Sequence, residues 1–381
     1  MSRRTLLSLA LLSLAAFCFS SAALAQDNAY GKWVTDPNNL ATPVFVYAPP
    51  PTGFNPLTAS DVELDQYGFP PRPSRQEAGG YARWKRMVTA TRVTPEVTPT
   101  LIYNELPRDW TVDSSAGNTK TGTSRNWSGF AYSVASGTFA TNESMVCAEW
   151  TIPAVEQATG VCSSTLYQSS QWVCFDGAPS SGSSDILMAG TAANASCTIP
   201  RRTPITTATY SAWYEWYPNP EAQLSGLPVS PGDAMDVCVF YTIPSAASTQ
   251  GHASIYNQTT NLGVAVGFNP SSGTTYVGDS AEWIMQRPTP TVAGGTLPDL
   301  PNFGFFGFND AYAVDPSSPI NYTPGAKIRG VTSEQITMAC NPTSWSPSVA
   351  CNRPTNISTF NLNVGRDGDT TMWFTADPPA Q

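Results

Sequence analysis

Short runs in which apolar and polar residues alternate at every second position, bounded by Gly, Ser, Pro or Asn, fill the chain beyond Arg125. That period predicts β-strands, because successive side chains of a strand leave opposite faces. Three runs are the richest in aromatic and aliphatic residues, at 171–177, 185–190 and 211–218. Alternation puts Trp172, Cys174 and Asp176 on one face of their strand, and Trp213, Glu215 and Tyr217 on one face of theirs. Indoles, a phenol and carboxylates together suit a cleft better than a core, so an acidic groove lined by aromatics is expected. Further strands are expected at 126–132, 144–153, 234–242, 276–285, 303–308 and 371–375. A hairpin should run from 252–258 through Thr259-Thr260-Asn261 into 262–268. Many short strands with little helical periodicity argue for an all-β fold, an antiparallel two-sheet β-sandwich.

Residues 26–118 have a different texture. Ala48-Pro49-Pro50-Pro51 and Phe69-Pro70-Pro71-Arg72-Pro73 read as extended linkers. Between them, 58–68 reads as a short capped helix stopped by Gly68, and a second helix should carry Arg83, Trp84, Lys85 and Arg86. That basic cluster suits either a pro-segment docked on an acidic domain or a solvated helix face on a stalk. Ahead of it, residues 1–25 read as a secretory signal, with Arg3 and Arg4, an apolar run and Ala23-Leu24-Ala25 before a cleavage at Gln26. The expected division is therefore 1–25 signal peptide, 26–118 pro-region or linker, and 119–381 β-sandwich. The product should be secreted or periplasmic, with no membrane span.

Charge and cysteine content narrow the chemistry. The net charge is −9 and the sequence pI is about 4.6, which argues against a nucleic-acid partner. From Thr119 onward 18 Asp and Glu face 9 Lys and Arg, whereas 26–118 carries 10 against 8. Eight cysteines less Cys18 of the leader leave seven in an oxidising compartment, hence at least one free thiol. Cys340 with Cys351 and Cys162 with Cys197 are the expected pairs. No doubled CxxC spacing suggests zinc, and the single histidine, His252, has no recognisable catalytic neighbourhood. Lys120 and Lys327 are the only lysines after residue 118, which disfavours a Ser-Lys dyad. Carboxylate and amide chemistry remains, without metal or cofactor.

Six ordered motifs carry a resemblance. Asn126-Trp127-Ser128-Gly129, Trp172-Val173-Cys174-Phe175-Asp176-Gly177, Ile186-Leu187-Met188-Ala189-Gly190, Ala212-Trp213-Tyr214-Glu215-Trp216-Tyr217-Pro218, Ala281-Glu282-Trp283-Ile284 and Asn302-Phe303-Gly304 resemble those of the glutamic peptidases, the eqolisins or peptidase family A4. The resemblance runs from about residue 122 to the C-terminus. It implies a concanavalin-like sandwich with a groove across one concave face, an extended polypeptide substrate, and a glutamate and a glutamine acting in acid. The glutamate falls on Glu282. Trp172, Asp176, Trp213, Glu215 and Tyr217 fall on groove-lining positions.

The chain departs from this pattern where the family has its glutamine. The family's Ile-Leu-Gln-Thr-Gly is here Ile186-Leu187-Met188-Ala189-Gly190, and a thioether has no N–H to donate. Gln171 is a poor substitute unless a bulge intervenes, since alternation turns it to the opposite face. Ser211 and Cys174 replace the family's usual aspartate and glycine. Two readings follow: a monomeric acid endopeptidase working through Glu282, or a catalytically impaired relative whose aromatic groove binds peptide or glycan.

Overall fold

The computed structural model describes residues 27–35, 42–73, 78–157, 162, 164–200, 203–243, 249–290, 295–340, 355–362 and 370–374. The leader over 1–25, and Cys351 with its expected bond to Cys340, lie outside the described residues. In chain order the elements are β1 (Gly31–Val34), β2 (Val44–Tyr47), α1 (Asp61–Gln66), α2 (Ala78–Thr89), β3 (Thr91–Arg92), β4 (Glu96–Pro99), β5 (Thr111–Ala116) and β6 (Thr119–Ser124). Next come β7 (Trp127–Ser133), β8 (Ser144–Thr151), β9 (Tyr167–Phe175), β10 (Ile186–Thr198), β11 (Ile205–Tyr217), β12 (Ala222–Ser225), β13 (Ala234–Tyr241) and β14 (Gly251–Asn257). The chain continues through β15 (Leu262–Phe268), β16 (Ser280–Gln286), β17 (Phe305–Val314), β18 (Asn321–Tyr322), β19 (Thr332–Cys340), β20 (Thr355–Leu362) and β21 (Thr370–Phe374).

These strands form the expected two-sheet sandwich. The first sheet has the order β5-β6-β19-β7-β16-β9-β10-β11-β12-β4, antiparallel except for β6 against β19. The second has the order β18-β17-β8-β13-β14-β15-β2-β1, with β3 added parallel to β15. Phe130, Val173, Leu187, Tyr214 and Trp283 from the first sheet meet Val146, Trp150, Val237, Ile255 and Val266 from the second in one buried core. The alternate residues of the first sheet, among them Trp127, Trp172, Cys174, Met188, Trp213 and Ile284, form a second apolar cluster on its far side. Period-2 alternation thus sorts one set of indoles into the core and another into the site.

Residues 26–118 are woven into both sheets. β1 and β2 extend the second sheet at its edge, and β4 extends the first. Ser60 caps α1 in a reciprocal capping box with Glu63, and both helices of the described residues precede residue 118, as expected. The basic cluster docks: α2 sets Met87 and Ala90 against Cys147, Cys238, Phe240 and Tyr312 on the outer face of the second sheet. Arg83, 1% exposed, lies 3.1 Å from Asp236 and 3.3 Å from Glu149, and Arg86 also pairs with Glu149. The 118/119 boundary falls in the turn of the β5–β6 hairpin, where Gly117 takes φ 63°.

Two disulfides are formed among the described residues. Cys162–Cys197 is the expected pair, whereas Cys147–Cys238 joins directly opposed residues of β8 and β13 beneath α2. Cys174 is free and buried. The β14–β15 hairpin is as expected, with Asn261 at φ 55° in its turn. β16 begins at Ser280 rather than 276, because the backbone of 277–279 is taken up by Asp176.

The Arg83 cluster yields a stability prediction. Arg83→Ala leaves Asp236 buried without its partner and should lower unfolding stability by about 3 kcal/mol in urea titration. A loss below about 0.5 kcal/mol would mean that the ion pair does not hold α2 in place.

Candidate active site

Register builds the site. On neighbouring strands Glu215 of β11 lies opposite Met188 of β10, Met188 opposite Cys174 of β9, and Cys174 opposite Glu282 of β16. The row continues through Ala131 of β7 to Glu334 of β19. Directly opposed residues share a face, with Cβ atoms about 5 Å apart, so Met188 and Glu282 stand roughly 10 Å apart across the Cys174 column. Two positions along, Trp172 and Trp213 flank Gly190 in the same way. A Cβ on Gly190 would lie 2.0 Å from the Gln171 carbonyl oxygen and 2.7 Å from Trp172 Cβ, so only glycine fits.

The site residues read from the sequence therefore divide. Trp172, Met188, Trp213, Glu215 and Glu282 come together on one face, with Tyr217 packed at its margin. Asp176 leaves that face. It follows the last residue of β9 with φ 68°, and its carboxylate accepts the backbone N–H groups of Val277, Gly278 and Asp279 at 2.8, 3.1 and 2.9 Å. It fastens the loop leading into β16, so the alternation that assigned it to the groove stops one residue short. Gln171 does face the other way: its amide oxygen accepts from Thr191, which accepts in turn from the Trp150 indole. His252 is buried against Phe240 with Tyr47 and Thr242 on its ring nitrogens, and burial lowers its pKa to about 4.

The site face is covered. Trp172, Cys174, Met188, Trp213, Glu215 and Glu282 are each at most 1% exposed. The cover is residues 100–110, which leave β4 at the sheet edge and run over the face as a strap. The backbone of Tyr103 pairs with Thr289, and Leu106 and Trp110 pack on the apolar cluster. Asn104 donates to Glu215 from its backbone N at 3.0 Å and from its side chain at 2.9 Å, and to Glu221 at 3.1 Å. The Glu105 carbonyl accepts from the Trp127 indole at 2.9 Å and from Gln286 at 3.0 Å. Asn104, Glu105, Glu221 and Gln286 had no sequence signal; a strap fixed by tertiary contacts shows no periodicity.

Beneath the strap the carboxyls are held towards neutrality. Burial pushes Glu282 well above the usual carboxylate range, against the pull of the Cys174 thiol and the nearby Ser280 hydroxyl. Burial likewise raises Glu215, and it takes Glu221 to about 7 despite the Asn104 amide. Several polar atoms of the face have no protein partner: Trp172 Nε1, Trp213 Nε1, Glu282 Oε1 and Asn104 Oδ1. Buried polar atoms are nearly always satisfied, so the strap covers this face without fully matching it. The described residues contain no cluster of metal-ligating side chains and no helix long and apolar enough to cross a membrane.

Comparison with known proteins places the chain in a family. The model of the Peptidase A4 family matches residues 125–353, more than half of the chain. The chain belongs to the Peptidase A4 family. Aspergillopepsin-2 of Aspergillus niger is 30% identical over 111 residues, 29% of this chain and 37% of that protein. Scytalidopepsin B of Scytalidium lignicola is 36% identical over 78 residues, 20% of this chain and 28% of that protein. The matched stretches thus span about a third of each relative's length. Among solved structures, scytalido-glutamic peptidase with a transition state analogue inhibitor is 19% identical at a TM-score of 0.45, covering 70% of this chain and all of that one. A member of the eqolisin family in complex with the tripeptide Ala-Ile-His is 18% identical at a TM-score of 0.42, again covering 70% of this chain and 100% of the other.

A pH prediction follows from the buried carboxyls. Groups whose pKa is raised on folding stabilise the fold below their unfolded value, and that contribution is lost as pH rises through the folded value. With Glu221 at about 7, its contribution is lost between mild acid and neutrality, and the raised Glu215 and Glu282 act in the same direction. The melting temperature should therefore drop between about pH 5 and about pH 8 in circular-dichroism melts. A rise over the same interval would contradict the buried neutral carboxyls.

Proposed function

We propose that this family member is a secreted acid endopeptidase, acting as a monomer on extended polypeptides, with Glu282 as general base. The observation that carries the reading is the row Glu215–Met188–Cys174–Glu282, with Glu282 Oε1 and two indole N–H groups unpartnered on the same face. Glu282 takes a proton from a water that adds to the scissile carbonyl, then returns it to the leaving amine. Trp172, Trp213, Glu215 and Tyr217 bind the substrate backbone and side chains in the groove. Met188 stands where an amide donor to the oxyanion would act.

In this reading residues 26–118 are a pro-region, and the covered state is inactive twice over. The strap excludes substrate, and burial keeps Glu282 protonated. Removing the strap rehydrates the carboxyl, which can then ionise in acid. At the other end of the pro-region, α2 is held by the Arg83 guanidinium among Asp236, Glu149 and Asp310. The exposed β5–β6 turn is then the natural cleavage point. Incubation near pH 4 should yield a fragment whose N-terminus, read by sequencing, lies at about residue 117–120. A chain that remains intact would contradict the pro-region.

The catalytic assignment has its own test, casein cleavage across the acid range. Glu282→Gln should abolish it, since a neutral amide accepts no proton from water. Met188→Gln supplies an N–H at little change in volume and should raise activity by up to roughly 100-fold. Activity that survives Glu282→Gln would overturn the assignment. Silence in every variant would favour the second reading, a peptide- or glycan-binding relative, for which Met188 is the specific support.

A further inference from the structure

We propose that Cys174 is the positioning residue of this site, its thiol holding Glu282 through Oε2 and standing in for the amide absent at Met188. The inference rests on Glu282 acting as base. Cys174 lies directly opposite both Met188 and Glu282, and is therefore the side chain between the two positions where the reaction would take place. Its Sγ contacts Glu282 Oε2, while Oε1 has no hydrogen-bond partner within the protein. Thiol and carboxylate form one unit: the sulfur fixes one oxygen and frees the other.

The thiol is a donor here and not a nucleophile. Reactive cysteines sit in electropositive, partly exposed surroundings. Cys174 is buried, and burial together with Glu282, Asp176 and Asp185 pushes its pKa well up, so the S–H stays intact through the acid range. When Glu282 Oε1 takes the water proton, the new O–C bond moves the carbonyl π pair onto oxygen. Oε2 becomes the carbonyl oxygen of an acid and accepts less strongly, which releases the S–H towards the oxyanion. As the C–N bond breaks, the Oε1 proton passes to the amine, and the thiol returns to Oε2. Sulfur forms no covalent bond at any step.

The surroundings of Glu282 set the pH signature. Around it stand Cys174 of β9, Asp176 just past the end of β9, Asp279 just before its own strand, Ser280 along that strand, Tyr276 in the loop before it, and Glu334 beyond Ala131 in the same row. Of these, the thiol and the Ser280 hydroxyl favour the carboxylate, and the acidic groups oppose it.

The experiment has two arms, both on the full chain. In infrared spectra, the S–H stretching band that disappears in Cys174→Ala should shift when Glu282→Gln replaces the carboxyl acceptor by an amide. An unshifted band overturns the proposal whether or not the protein turns over substrate. In acid casein cleavage, Cys174→Ala should lower kcat by about 10-fold, less than a usual oxyanion donor because a thiol donates weakly. It should also move the acid limb of the pH profile upward, because Glu282 loses a donor, and Cys174→Ser should restore both. In the Met188→Gln background the same change should cost less than about 2-fold, since the amide then fills the role. Equal losses in both backgrounds with an unmoved acid limb overturn the proposal while leaving Glu282 as base. Activity that survives Glu282→Gln instead overturns the base assignment beneath it.

Discussion

Taking carboxyls out of water is the constraint on which the rest of this structure depends. Glu215, Glu221 and Glu282 lie on or beside one face of a β-sheet, sealed under a strap, among tryptophans. Ionised and unpaired, each would cost several kcal/mol to bury. The fold meets this by keeping them near neutrality and by spending the Asn104 amide, its backbone N–H and the Cys174 thiol on them. Acid suits the sealed interior, because there the protonated form is the ordinary one.

The opposite side of the sandwich solves a different electrostatic problem with the same segment of chain. Arg83 is buried among Asp236, Glu149 and Asp310, a charge arrangement that needs every partner present. Residues 26–118 thus grip the second sheet through an ion-pair cluster and the first through strand addition and the strap. The two grips differ in kind: a buried guanidinium among carboxyls on one side, and carboxyls sealed with amide and thiol donors on the other.

Much of this was legible in the sequence, and what was not has physical causes. Period-2 alternation placed β7, β8, β9, β13 and the β14–β15 hairpin, and set Trp172 with Cys174 and Trp213 with Glu215 on the faces that meet in the site, whereas Glu282 was read from the family resemblance. It failed at Asp176, where a positive φ ends the strand and turns the carboxylate to the loop of 277–279. It could not show β1, β2 and β4, whose four-residue runs in Pro-rich sequence form strands only because a sheet edge receives them. The strap was invisible for the same reason: Asn104 and Glu105 acquire meaning only beside Glu215, Glu221, Trp127 and Gln286. Cys174 read as a lost glycine, and only the register shows it between Met188 and Glu282.

The central claim is that a self-sufficient sandwich carries its working face under a removable cover. Hydrogen–deuterium exchange, followed peptide by peptide before and after cleavage at the β5–β6 turn, tests it most directly. In the intact chain, residues 100–110 should exchange as slowly as β9 and β10. After cleavage the strap should exchange freely or be lost, while β9, β10, β11 and β16 keep their protection. Loss of protection in those four strands together with the strap would show that the strap is part of the fold, and would contradict the account.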